Sequence, residues 1–145
     1  MGYTTPESHT AVRFADVAAP GFEGVPVPLN HLNLTVTSPA ETSRFMQKYF
    51  DMKCLGEPPQ DNASMAFLTD ENGMVLAFLR GKQGVEISYP ASFHIGFIQP
   101  NEARVNEINA RLRADGIEAP EPSRMHGSWT FYFMSPGGFV IEVLC

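Results

Sequence analysis

The sequence of 145 residues has few cysteines, an excess of acidic over basic side chains and no long apolar run. Two cysteines, Cys54 and Cys145, cannot form a disulfide framework, so we expect free thiols and a cytoplasmic protein. No stretch approaches the roughly 18 to 20 apolar residues that span a bilayer, and the N-terminus lacks the segments of a secretory signal. Ten Lys and Arg against sixteen Asp and Glu give a net charge of −6, which argues against nucleic acid and anionic membranes as partners.

The composition indicates one folded domain that follows an irregular arm. Hydrophobic residues make up 43% of the chain and charged residues 18%, which is enough apolar material for a core. Residues 1–28 are rich in Pro, Gly and Ala without a steady period, and we expect them to form an arm that contacts the body through Val12, Phe14 and Phe22. Residues 29–145 fall into two similar halves. We interpret these as a first module (29–80), a linker (81–91) and a second module (92–145).

The first half predicts a strand, a helix and three further strands. Residues Leu29–Val36 alternate between apolar and polar side chains, as in a strand with one buried face. The run Ser38-Pro39-Ala40-Glu41 combines a helix N-cap, a first-turn proline and a capping-box glutamate. The three further strands are predicted near Lys53–Leu55, Ser64–Thr69 and Met74–Arg80.

The second half repeats this order. Residues Phe93–Ile98 alternate like the first strand, and Asn101 is the predicted cap of a helix that Gly116 ends. The remaining strands are predicted near Ile117 (a short one), at Trp129–Met134 and at Phe139–Leu144. His94 follows His31 by 63 positions, Asn101 follows Ser38 by 63, and Gly138 follows Gly73 by 65. The near-constant offset indicates a βαβββ unit used twice in an α+β fold.

Two histidines and one glutamate are the candidate metal ligands. His31 and His94 occupy equivalent places in the two halves, on the strand face opposite the apolar residues. A single strand histidine is usually structural, but a repeat-related pair can meet across a pseudo-twofold axis. Glu142 lies in an apolar strand, where a buried carboxylate needs a cation or hydrogen-bond donors, unless it faces water at a sheet edge. Two imidazoles and a carboxylate suit Fe(II), and also Mn(II), Co(II), Ni(II) or Zn(II).

Three segments resemble the vicinal oxygen chelate superfamily, which includes glyoxalase I, bleomycin-resistance proteins, fosfomycin-resistance enzymes and extradiol dioxygenases. They are the opening Asn30–Val36, the His94 strand and the closing Phe131–Glu142. The resemblance implies two βαβββ modules in a cupped mixed β-sheet, with the helices on the outer face and the metal on the concave face. It also implies that His31, His94 and Glu142 are the ligands, with Ala77 at a fourth, unused place.

Within this superfamily the site pattern is closest to type I extradiol dioxygenases, which are oxidoreductases that use Fe(II). That resemblance implies a catalytic role for Tyr132, ten positions before Glu142, and a proton shuttle at His126, for which a solvated loop histidine is the alternative. We also consider Asn33 and Arg124 as substrate-binding residues. A homodimer and a small-molecule substrate that chelates the metal are further expectations. Whether the two modules are exchanged between chains stays open, and if they are, His31 would share a site with His94 and Glu142 of the second chain. A metal-free binding protein and a glyoxalase-like isomerase or lyase remain alternatives.

The turn after Tyr132 decides whether this side chain can reach the site. A three-residue turn over Pro136–Gly138 would place Tyr132 opposite Glu142, whereas a four-residue turn would place Phe131 there. We predict the three-residue turn, because it sends Trp129, Phe131 and Phe133 together towards the helices. Burial would stabilise each by roughly 1.5 to 3 kcal/mol.

Overall fold

The computed structural model describes residues 28–145, so the predicted arm, apart from Pro28, lies outside the described residues. The first half forms β1 (His31–Val36), α1 (Pro39–Phe50), β2 (Lys53–Cys54), β3 (Met65–Thr69) and β4 (Val75–Arg80). The second half forms β5 (His94–Ile98), α2 (Glu102–Ala114), β6 (Ser123–Met125), β7 (Ser128–Met134) and β8 (Val140–Leu144). Both cysteines are free, as predicted. Neither helix of the described part is long and apolar enough to cross a membrane.

Each half builds one four-stranded mixed sheet. The strand order is β1-β4-β3-β2 in the first module and β5-β8-β7-β6 in the second. The pairs β1–β4 and β5–β8 are parallel, and the other neighbours are antiparallel. This arrangement confirms two βαβββ modules of an α+β fold. In the described chain the two sheets are separate, and β1 and β5 each lie at a sheet edge.

Side-chain caps set the helix ends where the sequence predicts them. The Ser38 hydroxyl accepts a hydrogen bond from the Glu41 backbone N–H at 3.2 Å, and the Asn101 side chain accepts one from Arg104 at 2.9 Å. Each satisfies one of the N–H groups that a helix start leaves without a backbone partner. Gly116 follows α2 with φ +80°, the left-handed conformation that ends many helices.

The predicted short strand near Ile117 is wrong. Residue Ile117 donates its backbone N–H to the Leu112 carbonyl at 2.9 Å and packs its side chain against the core, so it belongs to the helix terminus. The prolines at positions 120 and 122 lack the N–H that a strand ladder needs, and the second strand of this module, β6, begins only at Ser123.

The two modules share one hydrophobic core between their helix-facing sides. On β1, Leu34 and Val36 are buried towards α1, while the alternate side chains are exposed. Aromatic contacts cross from one module to the other: Phe45 of α1 lies 6.0 Å from Phe133 of β7 between ring centroids. The sheet faces opposite the helices, which we call the cup faces, are therefore turned away from this common core.

Candidate metal centre

The cup face of the second module carries three rows of side chains across β5, β8 and β7. The first row is His94, Val140 and Met134; the second is Gly96, Glu142 and Tyr132; the third is Ile98, Leu144 and Thr130. Side chains alternate between faces along each strand, so these nine positions share one surface. A carboxylate and a phenol thus occupy the centre of a surface whose outer rows are largely apolar.

The predicted strand register is confirmed. Tyr132 pairs with Glu142 in the β7–β8 ladder. The turn spans three residues, because the Ser135 N–H donates to the Phe139 carbonyl at 3.0 Å and Gly138 has φ +83°. Tyr132 and Glu142 form a non-hydrogen-bonded pair, in which opposite side chains approach most closely. The turn therefore brings the phenol to the carboxylate.

The Glu142 carboxylate is mostly buried and has different environments at its two oxygens. Only 14% of its side chain is exposed. Oε1 accepts hydrogen bonds from the Tyr132 hydroxyl at 2.6 Å and from the Thr130 hydroxyl at 3.0 Å. Oε2 lies 3.4 Å from Nε2 of His94. Both hydroxyl donors are neutral. The strands β5, β7 and β8 also contain no lysine or arginine that could balance the negative charge of the carboxylate.

The orientation of His94 leaves a place for a cation beside Oε2. Its Nδ1 lies 3.0 Å from the Ser92 carbonyl oxygen, which can only accept, so Nδ1 carries the hydrogen. In the neutral ring Nε2 then carries a lone pair, and this lone pair faces a carboxylate oxygen that also carries lone pairs. Either a proton on Nε2 or a metal ion makes this contact favourable. A carbonyl that orients the far ring nitrogen is the usual arrangement of a metal-bound histidine.

Tyr132 is a proton donor at neutral pH. The hydrogen bond to Glu142 raises the pKa of its phenol above the ordinary value, and burial and the negative charge of Glu142 act in the same direction. The phenol therefore keeps its hydrogen, which it donates to Oε1 of Glu142, and its oxygen can accept a hydrogen bond from a group in the cup.

His31 and Asn33 lie on the cup face of the first module. His31, Asn33 and Thr35 are the exposed side chains of β1, and Nδ1 of His31 lies 3.0 Å from Oδ1 of Asn30. Asn33 also lines a cavity of about 510 Å³ formed with the segment that follows β4. Ala77 stands opposite Asn33 in the β1–β4 pairing, at the place that the resemblance leaves unused.

One chain brings together two of the three predicted ligands. His94 and Glu142 meet, but His31 is on the other sheet, and residues 28–145 contain no group of three His, Cys, Asp or Glu side chains that could hold a metal ion. The shared core is the reason, because it turns the two cup faces away from each other. A complete set of three ligands would therefore need His31 of a second copy of the chain.

Arg124 and His126 do not reach the cup. Arg124 pairs with Trp129 on the helix-facing side, where its guanidinium lies 5.8 Å from the indole ring and contacts the carboxylate of Glu102. His126 occupies the turn between β6 and β7 with φ +51°. His126 precedes Ser128, the first residue of β7, and Ser128 is already about 13 Å along the strand from Tyr132. Neither side chain lies beside the carboxylate.

Sequence reasoning missed Thr130. This residue is fully buried, and its hydroxyl contacts the carboxylate that the sequence identified. The signal was present, because Thr130 precedes Tyr132 by two positions on the same strand and must share its face.

Solved structures with this fold include a possible glyoxalase from Bacillus cereus, which is 40% identical and covers 83% of this chain and 100% of its own, with a TM-score of 0.73. Lactoylglutathione lyase from Agrobacterium tumefaciens is 17% identical, covers 82% of this chain and 93% of its own, and has a TM-score of 0.62. A variant of the fosfomycin resistance protein FosX from Listeria monocytogenes was solved in complex with Mn(II) and 1S,2S-dihydroxypropylphosphonic acid. It is 22% identical, covers 81% of this chain and 90% of its own, and has a TM-score of 0.64. The last two show the fold alone. No protein of curated function matches the sequence.

The family comparison covers both modules. The sequence profile described as Glyoxalase/Bleomycin resistance protein/Dioxygenase superfamily matches residues 28–143, which include all eight strands and both helices apart from the last residue of β8. The match confirms the resemblance found in the three sequence segments. The chain belongs to the Glyoxalase/Bleomycin resistance protein/Dioxygenase superfamily.

Proposed function

We propose that the protein is a divalent-metal enzyme, most like a type I extradiol dioxygenase in its site, with His31, His94 and Glu142 as ligands and Fe(II) as the favoured ion. The observation that carries this proposal is the contact between Nε2 of His94 and Oε2 of Glu142 at 3.4 Å. The carboxylate is mostly buried, has only neutral donors on its other oxygen, and faces an imidazole whose tautomer leaves a lone pair towards it. A divalent cation satisfies all three conditions.

The third ligand would come from a second copy of the chain. Edge strands present unpaired N–H and C=O groups that another strand can use, and β1 and β5 are both sheet edges. If β1 of one copy lies beside β5 of another, the two strands are about 4.8 Å apart, and their cup faces can join. His31 of one copy then approaches His94 and Glu142 of the other. This supports a homodimer with two equivalent sites.

The chain's own residues would bind and orient the substrate around this ion. A bound divalent ion supplies Lewis acidity to two neighbouring oxygens of a chelating substrate. Tyr132 would form a hydrogen bond with one of these oxygens as the acceptor, from a substrate hydroxyl group, because its own hydrogen is donated to Glu142. The outer rows would hold an apolar body and exclude water, since the side chains of Ile98, Met134, Val140 and Leu144 surround the carboxylate. Asn33, two residues beyond His31 on the same face, would bind a polar substituent. A catechol has this combination of features.

A second candidate is a glyoxalase-like isomerase or lyase. The 40% identity to a possible glyoxalase from Bacillus cereus favours it. Both candidates use the same ion site, but only the dioxygenase consumes oxygen. Oxygen uptake by anaerobically purified, Fe(II)-loaded protein against a panel of catechols separates them, and failure with every catechol would favour the isomerase or lyase.

Complementation between two inactive variants tests the shared metal site. His31→Ala and His94→Ala should each lose the metal as homodimers. Co-expressed with different tags, they form mixed dimers that contain one intact site, made from His31 of one chain and His94 of the other. An equal mixture should recover about a quarter of the wild-type metal content, because half of the dimers are mixed and half of their sites are intact. His126→Ala, outside the cup, is the matched control and should keep the full content.

Two results would contradict the shared metal site. Stoichiometric metal in either single variant, or no recovery in the mixture while the wild type binds metal, would show that His31 and His94 do not meet across two chains. A wild-type protein without metal after anaerobic purification and reloading would favour the metal-free binding protein.

A further inference from the structure

We propose that Thr130 is a positioning residue for the metal ligand Glu142, and that its hydroxyl acts with that of Tyr132 to hold Oε1 so that only Oε2 is presented to the ion. This inference rests on the proposed metal function. It assigns Thr130 a role that neither the sequence patterns nor the family resemblance suggest. The contacts that carry it lie within one module and do not depend on how two chains assemble.

The hydroxyl of Thr130 has no access to water. The residue is 0% exposed, so its single hydrogen must be donated within the protein. Two acceptors are in range: Oε1 of Glu142 at 3.0 Å and the carbonyl oxygen of Val143 at 2.9 Å. A hydrogen bond to a carboxylate is roughly twice as strong as one to a neutral carbonyl. The ionised carboxylate is therefore the favoured acceptor.

The Val143 carbonyl already has a partner in the sheet. Trp129 and Cys145 exchange both backbone hydrogen bonds at 3.1 Å, and such pairs recur every second residue in an antiparallel ladder. Phe131 and Val143 are the next such pair, so the Val143 oxygen accepts the Phe131 N–H. Thr130 is thus not required to satisfy that carbonyl.

Two donors on one oxygen give the carboxylate a defined orientation. Tyr132 approaches Oε1 at 2.6 Å from the same strand, two residues from Thr130. Rotation of the carboxylate would break both bonds and move Oε2 away from Nε2 of His94. With both hydroxyls in place, Glu142 offers one oxygen to a cation, and its second oxygen stays occupied. Partners that orient a ligand in this way typically change metal affinity by 10- to 100-fold.

The test compares the Mn(II) affinity of Thr130→Val and Thr130→Ser with that of the wild type, measured by electron paramagnetic resonance of the free ion. Valine keeps the branched shape and removes the donor, whereas serine keeps the donor. We expect Thr130→Val to weaken Mn(II) binding about 10-fold or more, and Thr130→Ser to stay within about threefold of the wild type. Urea unfolding of the metal-free proteins reports any separate effect on the fold. In the double variant with Tyr132→Phe, loss of both donors should weaken binding more than the two single effects combined.

Each outcome bears on the inference. Wild-type affinity in Thr130→Val would overturn it, whether or not the variant is less stable, because a purely structural threonine affects folding and not the ion. Equal weakening in Thr130→Ser and Thr130→Val would also overturn it, since the hydroxyl would then not be the cause. A wild-type protein that binds no Mn(II), Fe(II), Co(II), Ni(II) or Zn(II) would overturn the proposed metal function, and this inference with it. That result is distinguishable because it is seen before any variant is made.

Discussion

Replacing Glu142 by glutamine should make the protein more stable than the wild type without metal and less stable than the wild type with metal. Glutamine can keep the hydrogen bonds from Tyr132 and Thr130 on its oxygen, each weaker by about 1 kcal/mol because the acceptor is no longer charged. Its NH₂ group replaces Oε2, 3.4 Å from the lone pair of His94, and a shift of a few tenths of an ångström gives a hydrogen bond worth about 1 kcal/mol. Removing a mostly buried charge relieves a desolvation penalty of several kcal/mol in favourable cases. At pH 8 the metal-free variant should therefore be more stable than the wild type by about 1 kcal/mol.

The metal ion should raise the free energy of unfolding of the wild type only, because the variant lacks the Glu142 ligand. An ion that binds the folded state stabilises it by about 2.7 kcal/mol at a concentration of 100 times Kd. Urea unfolding at pH 8 and a fixed protein concentration, with EDTA and then with Mn(II), measures both effects. The Glu118→Gln variant is the matched control, because it removes the same charge from an exposed side chain that lies on none of the cup-face strands. It should follow the wild type under both conditions.

A metal-free Glu142→Gln variant that is less stable than the wild type by more than about 1 kcal/mol would refute this reasoning. The His94–Glu142 contact would then be a structural ion pair that already contains its own proton. Equal stabilisation of both proteins by Mn(II) would refute it in a second way, because the ion would bind elsewhere.

Three further predictions concern the fold around the site. The hydrogen bond from Tyr49 and the contact with Lys48 at 2.9 Å hold the pKa of Asp115 below its ordinary value of 3.8. A lowered pKa adds stability to the folded state that is present above pH 3.8 and is lost as the pH falls further. Asp115→Asn should therefore be less stable than the wild type at pH 7, and unfolding curves in acid should show this difference shrinking below about pH 4. Phe139→Ala should lower the free energy of unfolding by about 3 to 5 kcal/mol in urea, because this ring is fully buried in the core that joins the modules, and a loss below about 1 kcal/mol would contradict that packing. Ser38→Ala should cost about 1 kcal/mol through loss of the α1 cap, while Ser38→Asp, which keeps an acceptor, should not.

Local patterns in the sequence were sufficient to assign faces and register. The alternation along β1 and β5 assigned His31 and His94 to the face opposite the helices, because successive strand side chains point in opposite directions. The turn over Pro136–Gly138 then decided that Tyr132, and not Phe131, stands opposite Glu142. Both are short-range effects, in which backbone geometry and the residues next to it determine the outcome.

Long-range packing decided what those patterns left open. The prolines before β6 hid that strand, so the position of Arg124 opposite Trp129 became known only from the sheet. The sequence assigns Thr130 to the face of Glu142, but only the packed structure shows that this side chain is fully buried and that its hydroxyl contacts the carboxylate.

The sequence by itself determined the repeated βαβββ unit, the three candidate ligands and the pairing of Tyr132 with Glu142, because periodicity, caps and turns act over a few residues. The tertiary structure alone decided that the helix-facing sides of the two modules share one core. Burial of those apolar faces stabilises the chain and turns the cup faces apart, which separates His31 from His94 and Glu142. No local pattern specifies which apolar faces meet, because that depends on the area that all of them bury together.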